Sequence, residues 1–266
     1  MKIAFFTGSA YRHKYYFNKL VDQCDVVLHV QTTRSNKIID EVPFLYSVAD
    51  KKLLQKHSDD RLRKEKEYFL PTGDNFKPTK NVISVGEHEV NHSKVVAAVR
   101  KTKPDTVLIY GTGLLKKSFL EILPKYTINL HAGLSPQYRG AATLFWPIYF
   151  MEPQKLGFTF HLVDPNIDSG DIIHQNRPEI YANDELHDLG CRTIVKAAED
   201  IEKLLKKAEK KPLAHFPQKS KGKIFYNADF QPYHLRVTNY LMRKGLLGEY
   251  LENKKYFPEM KLISQL

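Results

Sequence analysis

Apolar residues along this chain fall into two spacings. Short runs rich in β-branched and aromatic residues read as strands: KIAFFT (2–7), DVVLHV (25–30), VISV (82–85), DTVLIY (105–110) and YTINL (126–130). Between them lie stretches with helical spacing. Tyr15, Phe17, Leu20 and Val21 show it after the Gly8-Ser9 turn, and residues 93–102 and 114–122 show it again. Strand and helix in alternation predict an α/β fold, a doubly wound, mostly parallel sheet with right-handed crossovers. In such sheets ligands bind beyond the carboxyl ends of the strands.

Residues 31–80 interrupt the alternation with a heavily charged, helix-permissive stretch, LLQKHSDDRLRKEKEYF, and the loop LPTGDNFKPTK. They read as an insertion, helical in part, that caps one edge of the sheet. LGFTFHLV (156–163) alternates as a further strand and enters the turn-rich DPNIDSGD. A long helix is expected over about 184–210, with Leu186, Leu189, Ile194, Ala198, Ile201 and Leu205 on its apolar face. The organisation expected is a main domain over 1–211 that carries the insertion, and a short C-terminal extension over 212–266 with one helical stretch near 235–246 and few strands.

The chain has 266 residues, enough for one large α/β domain. Its 42% hydrophobic and 27% charged content excludes wholesale disorder and fibrous architectures. No apolar window of about 18 residues occurs, and the N-terminal apolar run is too short for a signal peptide, so a cytoplasmic protein without membrane contact is expected. Cys24 and Cys191 lie far apart without partners at ligand spacing, which excludes a disulfide scaffold and a zinc finger. Forty-one Lys and Arg against thirty Asp and Glu leave a net charge of +11, which favours anionic partners without choosing one. Residues 201–224 concentrate the excess, with eight Lys against Glu202 and Glu209, a run that serves a solvated face as readily as an anionic contact.

Two familiar signatures fail on inspection. Gly111-Thr112-Gly113 follows a strand, but Lys116 stands where a dinucleotide fingerprint needs its third glycine, and no Walker sequence occurs. His88-Glu89-Val90-Asn91-His92 has zinc-protease spacing, which requires both histidines on one face of a continuous helix. Here Asn91 reads as the N-cap of the following helix, so the two rings straddle the cap and no metal site is expected.

The informative residues lie between 126 and 173. Asn129 and His131 are two apart at the end of a strand, so their side chains leave the same face at the mouth of the sheet. Asp168 arrives 37 residues after His131 in a Gly-containing loop, where a carboxylate can approach the imidazole and favour its protonated form. An amide donor, a cationic imidazole and a carboxylate together suit a reaction that develops an oxyanion while an amine loses a proton.

Asn129-x-His131 is followed by Ser135-Pro136-x-Tyr138-Arg139-Gly140-Ala141, by Trp146, and by Asp168-Ser169-Gly170-Asp171-Ile172-Ile173. On these residues the chain resembles the 10-formyltetrahydrofolate-dependent formyltransferase family, which includes glycinamide ribonucleotide transformylase, methionyl-tRNA formyltransferase and the sugar N-formyltransferases. The likeness follows the order of elements over 1–210 and holds at motif level over about 105–175. It implies a Rossmann-like catalytic domain, 10-formyltetrahydrofolate as cofactor, and Asn129, His131 and Asp168 as the catalytic residues. It also implies that Tyr110, Gly111, Thr112, Gly113, Leu114 and Leu115, with Val163, Asp164, Pro165, Asn166 and Ile167, hold the pterin largely by backbone contacts. In the implied reaction a primary amine attacks the formyl carbon, Asn129 and a His131 imidazolium stabilise the oxyanion, and Asp168 keeps His131 charged and helps move the proton; no metal is needed.

Departures from the pattern fall beside the acceptor. Ser135 replaces an apolar residue before the proline, and Thr143 stands where many members have proline. A substrate phosphate can meet Gly8, Ser9 and Arg12 at the N-terminus of the following helix. Arg139 fits a phosphate contact and a structural hydrogen bond equally, and Trp146 reads as core. The 55 residues after Lys211 carry weak strand signals, unlike the RNA-gripping barrel of the methionyl-tRNA enzymes, so nucleic acid is not expected as a partner. A nucleotide-linked amino sugar is the leading acceptor. Another small amine, glycinamide ribonucleotide, Met-tRNA, a hydrolase and a non-catalytic folate or nucleotide binder stay open, as does a homodimer.

Overall fold

The computed structural model describes residues 1–33, 46–86, 88–220 and 222–266. The first half contains β1 (Lys2–Thr7), α1 (Tyr11–Leu20), β2 (Asp25–Thr33), α2 (Val48–Phe69), β3 (Val82–Gly86), α3 (Ser93–Thr102), β4 (Thr106–Tyr110), α4 (Lys117–Leu120) and β5 (Tyr126–His131). There follow β6 (Tyr138–Gly140), α5 (Trp146–Tyr149), β7 (Phe158–Leu162), β8 (Ile172–Asn176), α6 (Leu186–Ala208), β9 (Lys223–Phe225), α7 (Pro232–Arg243) and α8 (Leu246–Glu252).

Seven strands form one sheet in the order β3-β2-β1-β4-β5-β7-β8, and β6 pairs with β9 separately. The five strands from β3 to β5 are parallel, whereas β7 runs antiparallel to β5 and β8 antiparallel to β7. β1 and β4 are central. Ile3–Thr7 and Thr106–Tyr110 are buried throughout, which is why both read as unbroken apolar runs. Phe5, Leu108, Ile128 and Leu130 pack on one side against Tyr16 and Phe17 of α1 and Ile194 and Ile201 of α6. Phe6, Val107 and Ile109 pack on the other against Val95 and Val99 of α3 and Phe119 of α4. Among the described residues no helix is long and apolar enough to cross a membrane.

Several expectations change. The helix expected over 114–122 shrinks to α4, and residues 111–116 stay irregular. His92, not Asn91, caps α3, its Nδ1 accepting from the Lys94 amide at 3.3 Å, so His88 and His92 both precede the helix. Of the insertion, residues 34–45 lie outside the described residues. α2 does not cap an edge strand: it packs on α1, α6 and α7, with Phe69 against Tyr15 and a Lys64–Asp188 ion pair of 2.9 Å to α6. β8 and the β6–β9 pair were not anticipated, because three-residue strands carry no periodic signal and Ile172-Ile173 is followed by polar residues. The helix expected near 235–246 is α7, and Gly245, at φ +80°, separates it from α8, which the sequence did not announce. Trp146 lies in a second core, stacked on Phe225 at 4.6 Å beside Tyr138, Phe145 and Leu235.

Candidate active site

Alternation along β5 sends Ile128 and Leu130 into the core shared with α6 and leaves Asn129 and His131 on the opposite face. The antiparallel register of β7 then sets His161 directly across from Asn129, and Thr159 across from His131. After Leu162 the chain leaves the sheet and returns at Asp171, where the Leu162 amide donates to the Asp171 carbonyl at 2.9 Å. Asp168 sits on this excursion with φ at +46°. Gly170 closes it so tightly that a Cβ there would stand 1.8 Å from the Leu162 carbonyl oxygen.

The three residues converge. Asp168 Oδ2 lies 3.2 Å from His131 Nδ1, and Asp168 Oδ1 accepts from Asn129 Nδ2 at 3.3 Å. β6 frames the pair: the Gly140 amide donates to Asp168 Oδ2 at 2.8 Å, and the Tyr138 carbonyl lies 2.7 Å from His131 Nε2. His161 completes the cluster, with Nδ1 2.8 Å from the Leu162 carbonyl and Nε2 3.1 Å from Asn129 Nδ2. A proton on His161 Nδ1 satisfies that carbonyl and leaves Nε2 to accept from Asn129. Asn129 thus presents its amide protons to Asp168 and His161.

Burial alone would raise the Asp168 carboxyl. The neighbouring His131 and His161 rings and the Gly140 amide outweigh it, and Asp168 is held well below the usual carboxylate range. His131 goes the other way from expectation. Its burial, at 5% exposure, lowers the imidazole, and Asp168 and the Tyr138 carbonyl restore only part of the loss. Burial therefore works against the imidazolium expected from the sequence, and Asp168 works for it. Two acceptors flank it, and a neutral ring donates to only one of them.

Both loops expected to hold a pterin feed one apolar cluster, in which Leu115 of the first and Val163 of the second pack with Ile109. Asn91 pins the first loop, accepting from the Lys116 amide at 2.7 Å and donating to the Leu114 carbonyl at 2.9 Å. Leu114 stands out at 64% exposure, while Thr112 and Gly113 are half-buried. In the second loop Asp164 accepts from the Asn166 amide at 3.0 Å and the Ser169 hydroxyl at 2.8 Å, leaving Pro165 and Asn166 exposed and Ile167 half-buried. Tyr110 and Gly111 close on His13: a Cβ at Gly111 would lie 2.2 Å from its ring and one at Gly8 2.4 Å.

The residues expected to meet substrate are engaged within the fold. The Gly8 amide donates to the Tyr110 carbonyl at 3.0 Å, and Arg12 is ion-paired with Glu65 of α2. Arg139 is buried and its guanidinium reaches the Ile167 carbonyl at 3.5 Å. Ser9 is half-buried at the start of α1. Thr143 donates to the Ala132 carbonyl at 2.6 Å and Ser135 receives Gln175 Nε2 on its carbonyl, also at 2.6 Å. Among the described residues no group of three or more His, Cys, Asp or Glu is placed to hold a metal ion.

Sequence reasoning missed His161, His13, Asn91 and the backbone of β6. His161 alone had a signal, since alternation along 158–162 places it on one face of a strand adjacent to the Asp168 loop.

A sequence pattern of the formyl transferase family matches residues 29–205, well over half of the chain. A methionyl-tRNA formyltransferase of Clostridium beijerinckii is 41% identical over 118 residues, covering 41% of this chain and 38% of that protein. The chain spans between about a third and a half of the length of the curated relatives it matches. Among solved structures, an N-formyltransferase from Helicobacter canadensis, in complex with folinic acid and dTDP-3-aminofucose, superposes with a TM-score of 0.52 at 16% identity, over 92% of this chain and 82% of that one. A phosphoribosylglycinamide formyltransferase from Anaplasma phagocytophilum does so at 0.56 and 15% identity, over 85% and 98%. At such identities the structures show a common fold. The match over residues 29–205 settles the kinship: the chain belongs to the formyl transferase family.

Proposed function

We propose that the protein transfers a formyl group from 10-formyltetrahydrofolate to a primary amine, and that the acceptor is the amino group of a nucleotide-linked amino sugar in the cytoplasm. The observation that carries formyl transfer is the meeting of Asn129 and His131 on the Asp168 carboxylate, at 3.3 and 3.2 Å. The residues fit the cofactor: apolar Leu115 and Val163 with the exposed Leu114 suit a flat heteroaromatic ring, and irregular backbone at 111–116 and 163–167 suits its polar edge. Tyr110 to Leu115 and Val163 to Ile167 would hold it. Bound there, 10-formyltetrahydrofolate supplies a formyl carbon open to attack by an amine.

The chain's own residues do the rest. Asn129 Nδ2 turns a proton from Asp168 toward the oxygen on which negative charge develops, a contribution on the order of 2.7–4 kcal/mol for one such donor. His161 fixes the amide for that task. The neutral form of His131, which burial favours, accepts the proton that the attacking amine loses and would return it to the nitrogen set free when its bond to the formyl carbon breaks. While the ring holds that proton, its Nδ1 faces the Asp168 anion at 3.2 Å and Nε2 donates to the Tyr138 carbonyl at 2.7 Å, so the protonated ring satisfies both neighbours.

Two observations support a sugar acceptor. The Helicobacter canadensis structure holds a nucleotide-linked amino sugar. Residues 212–266 fold into β9, α7 and α8 against β6, α5 and α2, with one three-residue strand among the described residues. The 41% identity to a methionyl-tRNA enzyme favours a second reading, formylation of Met-tRNA. Incubation with 10-formyltetrahydrofolate and a panel of nucleotide-linked amino sugars, glycinamide ribonucleotide and Met-tRNA separates them. Tetrahydrofolate release coupled to a formylated sugar is expected. Formyl-Met-tRNA as sole product would replace the acceptor, release without acceptor would indicate hydrolysis, and silence across the panel would leave a binding module.

A further inference from the structure

The carboxylate of Asp168 reaches both His131 and Asn129 from a left-handed backbone, a conformation that a side chain other than glycine adopts at a cost. What holds it comes from the C-terminal extension. Ile172 and Phe216 exchange both backbone hydrogen bonds, at 2.8 and 2.9 Å, as an antiparallel pair. Two residues after Phe216, Gln218 meets Gly170, two residues before Ile172. Gln218 Nε2 donates to the Asp168 carbonyl at 2.8 Å and to the Gly170 carbonyl at 2.9 Å, so one amide group spans the residue that bears the carboxylate and the residue that closes the turn. Its Oε1 is buried with no hydrogen-bond partner among the described residues. The amide is oriented for its two donors at the expense of its acceptor.

We propose that Gln218 is a positioning residue for Asp168: by bridging the Asp168 and Gly170 carbonyls it maintains the turn that aims the carboxylate at His131 and Asn129. The role rests on the reading of these three side chains as the reactive cluster. Gln218 touches none of their functional atoms, and it acts through the backbone of a loop that is also held by the Gly140 amide, the Leu162–Asp171 hydrogen bond and the Asp164–Ser169 hydrogen bond.

Gln218→Met keeps the length of the side chain and removes both donors. The test follows kcat, KM and the NMR titration of the His131 ring, which is faced by Asp168, His161 and Arg139 and is assigned against His131→Ala. Expected are a kcat lower by about tenfold to a hundredfold with KM little changed, and a His131 midpoint lower by about one pH unit as the carboxylate retreats. Gln218→Lys, which restores a donor of similar reach, is expected to recover much of the shift. A folded Gln218→Met protein whose His131 titrates as in the wild type overturns the proposal, whatever happens to kcat or Tm. A shifted His131 in a protein whose wild type formylates no acceptor leaves the positioning role standing and removes the formyl-transfer reading. If the Met variant does not fold, Gln218→Asn, which withdraws the amide by one methylene, is read by the same titration.

Discussion

The amide of Gly140 donates to Asp168 Oδ2 at 2.8 Å while the other side of the same glycine is closed by Phe225 of β9. The backbone of a three-residue strand therefore joins the carboxylate to the C-terminal extension. Gly140 has φ at +89°, and a Cβ there would stand 2.1 Å from the Phe225 carbonyl oxygen. Gly140→Ala is expected to cost about 2 kcal/mol or more, a Tm lower by roughly 4–8 °C, and most of the activity. Thermal melts and turnover check it together; full activity at an unchanged Tm would sink it.

His131→Ala and Asp168→Asn are expected to lower turnover by on the order of 10² to 10⁴ with folding intact. Asn129→Ala should lose about 10²–10³ in kcat. Cys24→Ala, away from this cluster in the core under α1, should be nearly silent. Single-turnover formylation with circular dichroism on each variant decides the matter, and comparable rates in the first two would remove the assignment.

Asn91 ties two amide hydrogen bonds to the loop at 111–116. Asn91→Ala leaves the Leu114 carbonyl and Lys116 amide to water and loosens the loop. A KM for the folate higher by about threefold to tenfold, with kcat nearly kept, is the expected signature of lost ground-state binding. An equal loss in kcat would place Asn91 in the chemistry instead.

Acid stability follows from His29, wholly buried between β1 and β3, stacked on Phe17 at 3.9 Å and 2.9 Å from the Thr7 hydroxyl. Burial pushes its imidazole down to about 3. The unfolded chain takes up this proton near pH 6.5 and the folded chain does not, so below about pH 6.5 the unfolded state gains on the order of 1.4 kcal/mol per pH unit. The loss continues as pH falls toward the folded value. His57 and His187, with rings 4.6 Å apart and lowered by burial to about 3 and about 4, add in the same direction. Urea midpoints at pH 7 and pH 5 should show the decline, and His29→Gln should flatten it; an unaltered slope in the variant would refute the assignment.

Much of the fold was legible because its evidence is local. β1, β2, β4 and β5 announce themselves as apolar runs, and α6 as a long apolar stripe, since burial on a sheet face or helix side imposes a period on the residues themselves. The same alternation placed Asn129 and His131 on one face. Where an element rests on contacts made elsewhere, the pattern was silent. β6 and β9 are too short to show a period, and α4 is cut short because Asn91 captures the loop before it.

The candidate site divides along the same line. Residue identity and spacing determined which amide, ring and acid this chain offers, because β geometry dictates the face on which neighbours emerge. Only the tertiary structure decided what surrounds them: the antiparallel register that brings His161 to Asn129, the β6 backbone that brackets His131 and Asp168, and the reach of Gln218 to a carbonyl 50 residues away. It also decided the electrostatic setting of His131. A nearby carboxylate is readable from a motif, but desolvation depends on how much of the chain closes over the ring, and here that burial outweighs the carboxylate.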